Sequence, residues 1–309
     1  MPDIKPIDLD LFTDKVADEF LLPKPIYGTD EDDVLKGGEA NEIIFGLDGT
    51  DLISAGGGAD EVHGGDGRDV IEGEAGNDVL FGGAGDDTIL GGADDDYING
   101  GWKIPPVGSG SSGDDVLDGG RGNDIIVGGD GNDVIRGGQD DDQIHGGDGN
   151  DILYGGVGLP RHSFAADGDD VIYGGNGADE IYGESGDDQL FGGADGDTIN
   201  GGHGFDIITG GTGNDTISGN GLQFGMPLAG QDRFVFGNGF GHDTITDFDV
   251  GLDQIDLTQL TGVSSFQDLI LTDVAGDTIV SFGGLASGNP AITFAGLQSS
   301  DLVDTDFLF

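Results

Sequence analysis

A carboxylate returns every nine residues through most of this chain. Between Gly28 and Ser218 the sequence divides into nineteen nonapeptides of the form G-G-x-G-x-D-x-U-x, where U is aliphatic, with two insertions of ten residues. The sixth position is Asp33, Glu42, Asp51, Asp60, Asp69, Asp78, Asp87 and Asp96 before the first insertion. It is Asp115, Asp124, Asp133, Asp142 and Asp151 between the insertions, and Asp170, Asp179, Asp188, Asp197, Asp206 and Asp215 after the second. Glycine turns that aim carbonyl oxygens inward beside such carboxylates make an all-oxygen donor set. There is no cysteine, and the five histidines are scattered, so neither thiolate nor regularly spaced imidazole competes. Oxygen donors in irregular turns select a hard cation, and Ca²⁺ accepts that geometry better than Mg²⁺.

A nine-residue pitch dictates the elements that hold these donors. Glycines at positions one, two and four permit positive φ and tight turning, and the short x-U-x piece is extended, with its aliphatic residue on one face. The eighth position is Leu, Ile or Val in every repeat, from Leu35 and Ile44 to Ile208 and Ile217. Stacking such turns gives two thin parallel sheets around an aliphatic ladder, a solenoid with two nonapeptides per coil.

Charge points the same way. The 309 residues carry 61 Asp plus Glu against 10 Lys plus Arg, a formal charge of −51. That balance excludes nucleic acid and anionic membrane surfaces, which need a basic patch, and leaves a multivalent cation as the natural counter-charge. An aliphatic ladder with one rung per nine residues is too little to order so much glycine against carboxylate repulsion, so cation binding and folding are expected to be one event.

The repeat resembles that of the RTX (repeats-in-toxin, hemolysin-type) calcium-binding proteins over residues 28–218. The resemblance implies an all-β fold, a right-handed parallel β-roll (β-solenoid) with a C-terminal β cap. It also implies Ca²⁺ ions between consecutive turns of one side, held by carbonyls and by the position-six aspartates Asp33, Asp51, Asp60, Asp69, Asp78, Asp87, Asp96, Asp115, Asp124, Asp133, Asp142, Asp151, Asp170, Asp179, Asp188, Asp197, Asp206 and Asp215. Glu31, Ala40 and Glu42 depart from the pattern and mark weak leading sites or an end cap. Asp94, Asp140 and Asp195 replace the fourth glycine and read as tolerated turn variants.

The expected organisation is an N-terminal segment over 1–27, the β-roll over 28–229 and a C-terminal cap with a secretion signal over 230–309. Insertions near 101–111, 156–166 and 219–229 interrupt the roll. The first two belong to turns on opposite sides and hold Trp102, Lys103, Arg161, His162 and Phe164; they read as ordinary tolerated insertions, with a recognition site as the alternative. Outward Phe45, Phe81, Tyr154, Tyr173, Tyr182 and Phe191 are expected to pack across strands, with a binding stripe as the alternative. Asp243, Asp247, Asp249 and Asp253 read as turn carboxylates, with a further ion as the alternative.

No basic and apolar leader opens the chain, and no apolar run approaches a membrane span. The C-terminal "SSDLVDTDFLF" resembles the uncleaved signal of type I secretion substrates, which implies a secreted, extracellular or cell-surface protein and the type I secretion machinery as a partner. H-E-x-x-H and G-x-S-x-G are absent, and an enzyme is not expected. The reading is a calcium-binding roll with a structural, matrix or adhesion role, with extracellular polysaccharide or matrix as a candidate partner. The alternatives are a small secreted signalling or membrane-active protein, and an accessory or carbohydrate-binding module of an exported polysaccharide-active enzyme.

Overall fold

The computed structural model describes residues 24–101, 113–156, 168–220, 222–223, 226–227, 230–282 and 290–309. Through the repeats the strands alternate between two long sheets, so that consecutive strands fall in opposite sheets. The first sheet runs through Ile26–Tyr27, Ile43–Asp48, Glu61–Asp66 and Val79–Ala84, and continues in this order to Ile207–Thr212. The second begins with Val34–Lys36, Leu52–Gly57 and Val70–Ala75 and continues to Thr216–Asn220. Neighbours within each sheet are parallel, and the register repeats by eighteen residues, as in Ile43↔Glu61 and Val62↔Leu80. Where an insertion intervenes the step is longer but the pairing is unchanged, as in Ile89↔Leu117 and Ile144↔Ile172.

The nine-residue phrase accounts for this geometry. Position-eight residues from Ile44 to Ile217 are at most 1% exposed and stack into one continuous core between the sheets. Leu35, in the first described turn, is half-buried against it. Positions seven and nine point outward, so most of the short strands bury one side chain among the three, while Phe81 and Asn99 at position nine are covered as well. Parallel β-roll architecture follows directly from the period.

Beyond Gly230 both sheets carry on. Arg233–Val235, Gln254–Asp256 and Phe307–Leu308 extend the first sheet in parallel register, with Ile208, Phe234, Ile255 and Phe307 in line. His242–Ile245 and Ala291–Phe294 extend the second sheet in parallel. Asp277–Phe282 and Leu269–Val274 then join it antiparallel and end the coil. Phenylalanines replace aliphatic rungs here: Phe234, Phe236 and Phe294 are fully or almost fully buried, and Phe248 meets Phe294 edge-on at 5.1 Å.

Candidate metal centre

Each sixth position sits at the end of a turn, just before its strand, which points the carboxylate under the neighbouring coil. All position-six aspartates of the repeats except Asp33 are at most 4% exposed, and Asp33 is half-buried. Their backbones and side chains form two unbroken ladders. On one side each N–H donates to Oδ1 of the next same-side aspartate, from Asp33 to Asp51, Asp69, Asp87, Asp115, Asp133, Asp151, Asp179, Asp197, Asp215 and Asp243, at 2.7–3.1 Å. The other side runs from Glu42 through Asp60, Asp78, Asp96, Asp124, Asp142, Asp170, Asp188, Asp206 and Asp232 to Asp253 at the same distances. Insertions leave the ladders intact: Asp87 reaches Asp115 at 2.7 Å across 28 residues.

In most of the repeats one oxygen of the carboxylate is thus bonded to the backbone of the neighbouring coil, and the other stands apart from the ladder. Oδ2 of Asp51, Asp60, Asp69, Asp78, Asp87, Asp96, Asp124, Asp133, Asp142, Asp151, Asp179, Asp197, Asp206 and Asp215 is buried with no hydrogen-bond donor. A native interior rarely leaves so many acceptors without a donor, and binding of an ion is one of the standard reasons for such a row. Asp33 differs, because its Oδ2 accepts from the Thr29 N–H at 2.6 Å and from the Thr29 hydroxyl. Glu42 likewise takes the Gly38 N–H.

The first glycine of each repeat faces that free oxygen. A Cβ on Gly128 would overlap Asp133 Oδ2 and come within 2.7 Å of the Gly146 carbonyl oxygen, one coil further on. Gly137, Gly146 and Gly174 repeat the arrangement with Asp142, Asp151 and Asp179. Carboxylate and carbonyl therefore converge on a space that a Cβ at these glycines would enter, and in the fourth repeat Ala55 stands at that position, five residues before Asp60. Among the described residues no three His, Cys, Asp or Glu side chains cluster, and the oxygens nearest these glycines are one carboxylate and one backbone carbonyl. The donor set fits a hard cation of flexible coordination and does not fit zinc or a thiophilic metal.

Burial makes these carboxylates unwilling anions without a counter-ion. Desolvation, opposed in part by the ladder hydrogen bond, pushes Asp142 up to about 9 and Asp87, Asp96 and Asp206 up to about 8. Asp124, Asp133, Asp151 and Asp197 rise to about 7 for the same reason, as do Asp232 and Asp243 beyond the repeats.

Sequence reasoning missed Asp232, which carries the ladder onward; its signal was the surviving G-x-D-x-hydrophobic core of "GQDRF". Asp243 and Asp253 stand in "GHDTI" and "GLDQI" by the same rule and join the ladders. Asp247 is a satisfied turn carboxylate, accepting from Ser218 Oγ and the Gly219 and Asn220 N–H groups. A further row went unread at position five, where Asp and Asn side chains accept from the following coil, as Asp114 does from the Asn132 N–H at 2.8 Å. Asp94, Asp140 and Asp195 are exposed, with φ of 77–78°. They are solvated turn variants.

The outward aromatics lie on one another. Tyr27, Phe45, His63 and Phe81 form a stack on the first sheet with centroids 4.8–5.2 Å apart, and His145, Tyr173 and Phe191 form a second at 4.7–4.8 Å. Each ring covers its neighbour's face and leaves edges to solvent, which is sheet packing. Trp102, Lys103, Arg161, His162 and Phe164 lie outside the described residues, as do most of the segments 101–111, 156–166 and 219–229. The turns that carry the first two insertions belong to opposite ladders, those of Asp115 and Asp170.

A parallel β-solenoid whose turns are lined with buried carboxylate and carbonyl oxygens is a cation-binding roll. The chain belongs to the family of the RTX calcium-binding nonapeptide repeat (4 copies), whose profile matches residues 26–53, 45–80, 54–89, 72–102, 109–144, 127–158, 164–199 and 191–221, more than half of the chain. It is a calcium-binding β-roll. Among solved structures it is similar to a subunit of the mannuronan C5-epimerase from Azotobacter vinelandii, at 22% identity over 54% of this chain and 91% of that one, with a TM-score of 0.32. It is also similar to the extracellular lipase LipA from Serratia marcescens, at 14% identity and a TM-score of 0.25, over 96% of this chain but 42% of the lipase. The comparison with curated proteins finds no match.

Proposed function

We propose that this chain is a secreted roll that folds when Ca²⁺ fills its turns outside the cell, and that it serves a structural, matrix or adhesion role. The carrying observation is the double ladder of buried carboxylates, in which Asp51, Asp69, Asp87, Asp124, Asp142, Asp197 and others keep an Oδ2 with no donor. In this reading the position-six aspartates from Asp51 to Asp215 each give Oδ2 to an ion and the backbone gives the rest. Asp33, already bonded to Thr29, caps the end more than it binds. What the ion supplies is positive charge and geometry at the turns. What the chain supplies is a dry cradle, an Oδ1 locked to the neighbouring coil, and glycine where a Cβ would intrude.

Secretion is supported by the repeat family and by the C-terminal segment. Phe307 is 4% exposed as a rung of the first sheet, so a signal there is legible only before folding. Low calcium inside a cell and millimolar calcium outside would separate the two states. Among the described residues no helix is long and apolar enough to cross a membrane.

Far-UV circular dichroism of the full chain, first in chelator and then through a calcium titration with Mg²⁺ as control, tests the reading. The expected result is a coil spectrum that converts cooperatively to β-structure with Ca²⁺ alone. A chain fully folded in chelator would overturn it. Binding of the calcium-loaded protein to acidic polysaccharide and to cell-surface matrix then tests the role.

A further inference from the structure

The region just past the last regular repeat contains an aspartate whose burial, ladder bonds and facing glycine match the repeats, although the atoms nearest that glycine are those of the aspartate alone. Gly219 and Asn220 occupy positions one and two of a twentieth nonapeptide, and Gly230, Gln231, Asp232, Arg233, Phe234 and Val235 occupy positions four to nine. The insertion between them enters after position two, at the same point as those after Gly101 and Gly156. Phe234 takes the inward rung, fully buried and in register with Ile208. The family profile stops at residue 221, so nothing assigns Asp232 a role.

Asp232 is 1% exposed. Its Oδ1 accepts the Asp206 N–H at 3.1 Å, and its own N–H donates to Asp253 Oδ1 at 3.0 Å. Oδ2 is buried with no donor, and a Cβ on Gly219 would overlap it. A Cβ on Gly230 would come within 2.5 Å of the Gly204 carbonyl oxygen, which keeps the coils in close contact at this turn. The side chain of Asp247 is folded over the same turn, bonded to the Gly219 and Asn220 N–H groups, and adds negative potential.

Neighbouring positions lack one or another of these features. Asp253 gives Oδ2 to the Asp249 N–H at 2.7 Å and has no oxygen to spare. Asp243 keeps a buried Oδ2 without a donor, but Phe236 stands two residues after the inward Phe234, where Gly210 stands two after Ile208, so its turn has no open first position.

We propose that Asp232 is a ligand of a further divalent-cation site, outside the regular repeats, that takes Ca²⁺ on the side of the roll whose ladder starts at Glu42. The proposal rests on the reading that repeat aspartates hold calcium. Its consequence is that the C-terminal strands are fastened to the roll by an ion as well as by sheet pairing.

Equilibrium dialysis of the full chain against radioactive calcium, at saturation, compares the wild type with Asp232→Asn and with the repeat control Asp124→Asn. Both variants are expected to bind at least one ion fewer than the wild type. Loss in Asp124→Asn with an unchanged count in Asp232→Asn would overturn this site and leave the repeat reading standing. No loss in either would overturn both. Since Asp232→Asn could unfold the C-terminal strands, crystals of the wild-type chain grown in calcium give a second measurement. An anomalous-scattering peak beside Asp232 Oδ2 is expected, and peaks along the repeats with none at Asp232 would overturn the proposal.

Discussion

The backbone N–H of Asp124 donates to Oδ1 of Asp142 at 2.8 Å, across a full coil of chain, and Oδ2 of Asp142 is left buried with no donor. The two oxygens of one carboxylate therefore have separate tasks. Asp142→Asn keeps the acceptor for Asp124 but sets an amide where the free oxygen stood. The midpoint of the calcium titration is expected to rise by about tenfold, equivalent to about 1.4 kcal/mol. Asp33→Asn, at the half-exposed end, should move it by much less. Equal shifts for the two variants would contradict the division of tasks.

Filling the cradle should act without touching any charge. Gly128 carries no positive φ requirement, yet its Cβ would overlap Asp133 Oδ2 and crowd the Gly146 carbonyl. Gly128→Ala is expected to weaken calcium binding by about tenfold or more, at a cost of the same order as other tight core insertions of about 1–3 kcal/mol. Calcium titration followed by circular dichroism reads the change. An unaltered midpoint would mean that the space beside Gly128 is not used.

Stability should depend on pH in opposite senses with and without calcium. Burial raises Asp142 to about 9 and Asp87, Asp96 and Asp206 to about 8, from ordinary values of 3.8. A carboxyl raised on folding favours the folded state fully below its unfolded pKa, and that contribution is lost as pH climbs through the folded value. Calcium-stripped protein should therefore hold more β-structure at pH 5 than at pH 8. Ca²⁺ needs the ionised carboxylates, so its apparent affinity should rise over the same interval, with protons released on binding. Circular dichroism of stripped protein and calorimetry in two buffers of different ionisation heat would read both trends.

The aliphatic ladder can be probed in saturating calcium. Ile144 is fully buried between rungs Ile126 and Ile172 of the same sheet. Ile144→Ala should cost about 2–5 kcal/mol in denaturant unfolding. Asp140→Gly should do the reverse, because Asp140 is exposed with φ of 77°, and relieving that conformation is worth about 1 kcal/mol. A gain at Ile144 or a loss at Asp140 would contradict the packing and backbone assignments respectively.

Much of the roll was legible because its period is also its geometry. Position eight named every core rung from Ile44 to Ile217, and position six named the buried carboxylates. The division of turns between two sides was legible from two nonapeptides per coil, but the hydrogen bonds of each ladder were not, since they depend on an N–H reaching a side chain a whole coil away. The region after Gly230 was obscured because two glycines per repeat are lost and Phe replaces Ile at the rungs. There Phe234, Ile255 and Phe307 continue the same line. Leu47, Glu74 and Glu184 at position two, with φ of 75–89°, further blur the glycine signal without altering the turn.

The insertions after Gly101, Gly156 and Asn220 all enter at one point of the phrase, and the ladders pass them with the usual spacing, as Asp142 to Asp170 at 2.8 Å does. That junction is a seam. The stitching between coils does not register material added there, so each coil is a mounting point at a fixed interval along the roll. A foreign peptide spliced after the second glycine of an unbroken turn would be held at a chosen height and side, and withdrawing calcium would undo the whole roll.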